Sequence, residues 1–209
     1  MVHIIESKNI GEAWIRCMQK ILRKGIFIHG KDVPLKEIIN VLIKVKDPLA
    51  KDGILKRFAD PAKIKWMKKN FFGEQKLPQY GYNYQQRLFQ YNGINQIRQV
   101  ITILRKNPEA KSATITLTRP GYDRKHVPCL VAMDFKIRSN RLIVHSFFRS
   151  QDIYNKMYAD ALQIVKLQQK VARELGKRIG SLCLHVISAH IYKDDLSAAK
   201  KVLKRQEGK

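Results

Sequence analysis

Cysteine is scarce and poorly placed for bridging: Cys17, Cys129 and Cys183 are the chain's three, an odd count with no CxxC spacing. That argues against a disulfide framework or a zinc knuckle and points to a reducing, cytoplasmic setting. Long apolar runs are missing too. No segment has the length of a membrane span, and the N-terminal MVHIIESKNI lacks the apolar centre of a signal peptide. Acidic residues are few, 17 Asp and Glu against 41 Lys and Arg, for a formal net charge of +24. Such a surface attracts phosphate-bearing partners, whether nucleotides or nucleic acid. The basic residues run from Lys8 to Lys209 without massing in a tail, so charge alone does not separate a solvated lysine-rich surface from a nucleic-acid track.

No repeat, low-complexity tract or interior linker divides the 209 residues, a length suited to one domain with a sizeable core. Apolar residues at helical spacing in IGEAWIRCMQKILRKG (Ala13, Trp14, Cys17, Ile21, Leu22) predict an amphipathic helix capped at Gly25. EIINVLIKVKDP reads as a short strand closed by Asp47-Pro48, and AKIKWMKKNFFGE as a helix stopped near Gly73. LPQYGYNYQQRLFQYNG, rich in Tyr, Gln, Asn and Gly, reads as a functional loop. Ile94, Ile97, Ile101 and Leu104 mark a helix that ends at Asn107-Pro108. SATITLT alternates like a strand, and PCLVAMDFKIRSNRLIVHSFFRS predicts a hairpin turning at Ser139-Asn140. A long helix from about Asp152 to Leu175, the strand SLCLHVISAHIY and a basic C-terminal helix complete the pattern. The expected fold is a single α+β domain with a mixed sheet and packed helices.

Several residues could carry chemistry. Cys129 follows a proline in an apolar strand, where a thiol is either an inert core group or, with cations near, a nucleophile. Arg149 and Ser150 are expected where a strand gives way to a helix, so that guanidinium, hydroxyl and free helix amides form a phosphate site; Asp152 would cap that helix. Asp152, Lys156 and Asp160 fall on one helical face, which allows plain salt bridges as well as a substrate role. His190 and Tyr192 share one side of a strand and suit a sugar hydroxyl or a satisfied strand edge.

Taken together, YGYNYQQRL, INQIRQVITILRKNPEA, VPCLVAMDF, FFRSQD and HVISAHIY resemble the thymidylate synthase family in order and spacing, with no gap needed from Cys129 to Tyr192. The N-terminal part, about residues 1–75, matches the family poorly. The resemblance implies a thymidylate synthase-like fold and a reaction on a pyrimidine nucleoside monophosphate. Cys129 would add to C6 of the base, and C5 would take a one-carbon unit from a reduced pterin, with no metal. Arg149 and Ser150 would hold the 5′-phosphate, with Arg149 also favouring the thiolate. Asp152 would fix the base through its backbone, and His190 and Tyr192 would bind the ribose side. The family's homodimer completes each site with two basic residues of the partner; here that place reads Lys111-Ser112, keeping one cation.

Departures from the pattern are also informative. Leu130 stands where synthases have His, and Phe148 where they have Gln. The catalytic Glu is not placed, Glu74 being the nearest candidate. The chain ends soon after Tyr192 without the segment that closes over folate, so the donor is expected to be methylenetetrahydrofolate or methylenetetrahydromethanopterin. Asp160 falls where synthases place the Asn that reads uracil, as in the cytidylate hydroxymethylase branch. A carboxyl there suits the amine of cytosine. The expectations are therefore dCMP or CMP hydroxymethylation, or alternatively dTMP formation from dUMP. A further alternative is a nucleic-acid-binding protein that kept the fold, either without the reaction or acting on a base within a polynucleotide.

Overall fold

The computed structural model describes residues 1–29, 33–74 and 81–208. Among these, seven strands form one mixed sheet: β1 (His3–Ser7), β2 (Ile26–Ile28), β3 (Leu35–Val45), β4 (Thr114–Thr116), β5 (Leu130–Arg138), β6 (Arg141–Asp152) and β7 (Arg178–Tyr192). Their spatial order is β1-β3-β7-β6-β5-β4, with β2 paired to β3 off that path. β6 and β7 run parallel, as do β1 and β3, and the other pairs are antiparallel. The hairpin expected at Ser139-Asn140 is present, and both residues take the positive φ (48° and 59°) that a tight two-residue turn between twisted strands requires.

Seven α-helices accompany the sheet among the described residues: α1 (Ile10–Lys24), α2 (Gly53–Phe58), α3 (Pro61–Phe72), α4 (Tyr84–Phe89), α5 (Gln96–Lys106), α6 (Met157–Glu174) and α7 (Leu196–Glu207). Their apolar stripes supply the core, with Trp14, Met18 and Ile21 from α1, Ile97, Val100 and Leu104 from α5, and Ile164, Leu167 and Val171 from α6, all buried against Phe135, Phe148, Leu184 and Val186 of the sheet. Ile94 lies before α5 and is exposed, so the buried stripe there starts at Gln96 and Ile97. β1, β2 and α2 carry no strong periodic signal and were not foreseen. The Tyr-rich stretch expected as a loop holds α4 instead, because Asn83 caps it (its side chain accepts from the Gln86 N–H at 2.8 Å) and Leu88 is buried. Residues 75–80 of that stretch lie outside the described residues.

The largest departure from expectation lies between the strand and the long helix. β6 continues through Gln151 and Asp152, and α6 starts only at Met157. Pairing with β7 extends to Asp152 opposite His190, and this ladder overrides the local helical pattern. Asp152 therefore does not cap α6: its Oδ1 accepts from the Asn155 N–H at 3.0 Å and closes a turn. The Trp14 indole N–H donates to the Ile153 carbonyl at 2.8 Å, and the Ile153 N–H donates to His190 O at 2.8 Å, so α1 and β7 both hold that turn. Trp14→Ala is expected to lower the urea-unfolding free energy by about 3–5 kcal/mol. Trp14→Phe, which keeps the ring but leaves the Ile153 carbonyl without its donor, is expected to cost about 1–3 kcal/mol in the same measurement.

Candidate active site

A cleft of about 190 Å³ opens above the C-terminal ends of β6 and β7, several times the roughly 30 Å³ share of one water. It is lined by Cys129, Arg149, Ser150, Asp152, Asp160, His190 and Tyr192, so seven of the eight residues to which the resemblance assigns a role meet at one place. The register explains this: Ser150, Gln151 and Asp152 stand opposite Ser188, Ala189 and His190. Lys111, the eighth, is exposed and does not line the cleft of its own chain; its carbonyl accepts from Lys136 Nζ at 3.1 Å.

Cys129 is half-buried immediately before β5. Arg149, on the paired strand, donates from Nε to Pro128 O (3.1 Å) and from Nη2 to Val127 O (2.6 Å), while its own N–H donates to Cys129 O (3.0 Å). The guanidinium thus ties down the segment that presents the thiol and is exposed at the cleft. It does not sit at a helix N-terminus as expected, because the strand runs on, and no helix amides back it. Nor does it lower the thiol's pKa overall: burial pushes the Cys129 thiol up and outweighs the opposing pull of Arg149. Tyr84 of α4 lies beside it, its hydroxyl accepting from the Leu130 N–H at 3.3 Å.

Among the described residues, two buried polar atoms in the cleft wall have no protein partner, Asp160 Oδ1 and His190 Nε2. Buried polar groups in folded proteins are nearly always matched, so such atoms in a cleft mark where a ligand's polar edge belongs. The other Asp160 oxygen, Oδ2, accepts from Gln151 Nε2 at 2.8 Å. Burial raises the Asp160 carboxyl from 3.8 to about 7, against the Gln151 hydrogen bond and Lys156. His190 Nδ1 faces Ser188 Oγ at 3.4 Å, and that hydroxyl donates to Glu37 of β3. Burial holds the imidazole below its ordinary value, while Asp152 pulls the other way. Asp152 itself accepts from both the backbone and the side chain of Asn155, each at 3.0 Å.

A family profile described as Thymidylate synthase matches residues 31–209. The chain belongs to the thymidylate synthase family. Relatives similar along nearly their whole length include one from Methanothermobacter marburgensis, 30% identical over 223 residues, with 98% of this chain and 99% of the relative covered. Another, from Methanothermobacter thermautotrophicus, is 31% identical over 221 residues, covering 98% of this chain and 100% of its own. A third, from Methanocaldococcus jannaschii, is 29% identical over 203 residues, covering 91% and 90%. All three are named as candidate thymidylate synthases. Thymidylate synthase-family enzymes are one-carbon transferases that use a reduced folate-type donor.

Sequence reading missed much of the cleft wall in this thymidylate synthase-family chain. Trp66, Met67 and Asn70 come from α3, and Lys125, His126 and Val127 from the segment before Cys129, whereas Tyr82 and Tyr84 belong to the Tyr-rich stretch already read as functional. Asn70, at helical spacing from Trp66 and Met67 on one face of α3, was a usable signal: it is buried, and its Oδ1 accepts from the Tyr84 N–H at 2.9 Å. Glu74 is exposed and outside the cleft, and among the described residues no Glu lines it. Among them, too, no group of three or more His, Cys, Asp or Glu is placed to hold a metal, and no helix is long and apolar enough to cross a membrane. Since the folded Asp160 keeps its proton to higher pH than the unfolded residue does, the folded state loses stability as pH rises from about 4 to about 7, by at most about 4 kcal/mol. Asp160→Asn removes this slope, so its urea midpoint should gain on the parent's between about pH 5 and about pH 8.

Proposed function

We propose that this chain is a C5 one-carbon transferase for a pyrimidine nucleoside monophosphate, with cytidylate (dCMP or CMP) as the substrate and a 5-hydroxymethyl base as the product. The observation that carries the reading is one cleft that joins a thiol, an exposed guanidinium and two unmatched buried polar atoms, Asp160 Oδ1 and His190 Nε2. Cys129 adds as thiolate to C6, and the electron pair at C5 takes up the donor's methylene; loss of the C5 proton with departure of the pterin amine leaves an exocyclic methylene on the base, and water adds there as the bond from C6 to sulfur breaks. A reduced pterin, methylenetetrahydrofolate or methylenetetrahydromethanopterin, supplies that unit. Trp66 and Met67, which wall both the cleft and a smaller adjoining hollow with Lys63 and Ala159, suit a flat heteroaromatic donor. In this reading Arg149 and Ser150 bind the 5′-phosphate, Asp152 steadies the base through the backbone, and His190 and Tyr192 bind the ribose.

Asp160 favours cytosine because a carboxyl can accept from the exocyclic amine, and a neutral one can also donate to N3. A second reading, dTMP formation from dUMP, is favoured by the names of the relatives. The reading further takes residues 1–209 as one domain working in the cytoplasm, and as a homodimer in which Lys111 serves the partner's site. The sheet face turned away from the helices supports the dimer: Phe147 and Ile187 are each 40% exposed there and Ile39 is 55% exposed, an apolar patch of the kind that marks a protein contact. Phe147→Asp is expected to yield monomers in sedimentation and to abolish turnover.

Release of tritium from C5 of labelled dCMP, CMP and dUMP, with either pterin donor, tests the substrate. Release from dUMP alone would sink the cytosine reading. Cys129→Ala should cut release by at least about a thousandfold with its fold intact. Asp160→Asn should move the preference toward dUMP by about tenfold or more.

A further inference from the structure

Gln151 lies within FFRSQD but was given no role there; it is almost fully buried on β6 and, among the described residues, makes the one side-chain hydrogen bond to the Asp160 carboxyl, from Nε2 to Oδ2. Oδ1 is left without a protein partner. We infer that Gln151 is a positioning residue that fixes which oxygen of Asp160 donates and which accepts, so that the site matches one pyrimidine edge and rejects the other. This rests on the reading of Asp160 as the group that recognises the base.

A carboxyl with one proton is asymmetric, its carbonyl oxygen accepting and its hydroxyl donating. An amide N–H is better received by the carbonyl oxygen. The Gln151 bond therefore makes Oδ2 the acceptor and leaves the proton to Oδ1, the unmatched atom. The proton is available near neutrality because burial raises this carboxyl to about 7. The charged and titratable groups around it are Lys156 and Asp152 before α6, Cys129 beside β5 and Tyr84 of α4. Lys156 favours the ionised form, and Asp152 opposes it.

Cytosine and uracil present opposite patterns at this edge. Cytosine accepts at N3 and donates from its exocyclic amine, while uracil donates from N3 and accepts at O4. A nucleotide anchored by its phosphate and ribose brings that edge to Asp160 in one orientation. One position of the carboxyl proton then fits cytosine, and the other fits uracil. Without Gln151, the proton can settle on whichever oxygen the base requires, and discrimination falls.

The test is equilibrium binding of dCMP and dUMP to the full chain and two variants near neutral pH. The parent is expected to separate the two nucleotides by about tenfold or more. Gln151→Met keeps the length but removes the donor and should bring the two dissociation constants within about threefold of each other. Gln151→Glu keeps the shape but offers a carboxylate that accepts the proton from Oδ2, leaving Oδ1 as acceptor, and should reverse the preference. A packing defect would weaken both nucleotides alike without moving the ratio. In the protein without nucleotide, titration of the Asp160 carboxyl carbon by NMR should shift to higher pH in Gln151→Met, because the lost bond favoured the ionised form. Unchanged ratios in both variants, or a parent that binds the two nucleotides equally, would overturn the inference and leave the transferase reading standing. A parent that binds neither nucleotide would overturn the transferase reading, and this inference with it.

Discussion

The parallel pairing of β6 with β7 is the constraint on which the rest of the site depends. It sets Ser150, Gln151 and Asp152 beside Ser188, Ala189 and His190, and carries β6 past the point where local sequence favours a helix. Parallel strands need a crossover, and α6 supplies it, with Gly176 at φ 63° ending the helix before β7 begins. Gly180 permits the close approach: a Cβ there would lie 2.8 Å from the Leu142 carbonyl. Because α6 both crosses the sheet and carries Asp160, the same packing that buries its apolar face sets the carboxyl against Gln151.

The cleft combines two electrostatic regimes. Its outer part, with Arg149 and Lys125 exposed, belongs to a surface of strongly positive potential that draws anions. Its floor is apolar enough that Asp160, Cys129 and His190 all shift toward their neutral forms. An anionic ligand with a neutral, flat head fits both, and a nucleoside monophosphate has that form. Burial resists ionisation of the Cys129 thiol here, and the charge of Arg149 pulls the other way.

Legibility in the sequence followed the range of the interactions. The hairpin at Ser139-Asn140, the amphipathic faces of α1 and α5, and the grouping of Cys129, Arg149, Asp160 and His190 all rest on local chemistry or motif spacing, and they were readable. The start of α6 was not, since the ladder to β7 and the Trp14 bond to Ile153 come from strands and helices far off in the chain. β1 and β2 are short edge segments with little alternation, and the α3 wall of the cleft consists of ordinary helix residues whose role comes from where the helix docks. Glu37, in the part of the chain with the weakest resemblance, reaches His190 through Ser188, so that part too helps to build the site.

Arg149 spends two of its N–H donors on the carbonyls of Val127 and Pro128. An anion that binds the remaining donors leaves the Cys129 segment clamped, whereas one that draws the guanidinium away releases it. An anion bound at Arg149, as proposed, would therefore be thermodynamically linked to the position of the thiol: whatever free energy the anion gave to ordering that segment, an ordered segment would return as tighter anion binding.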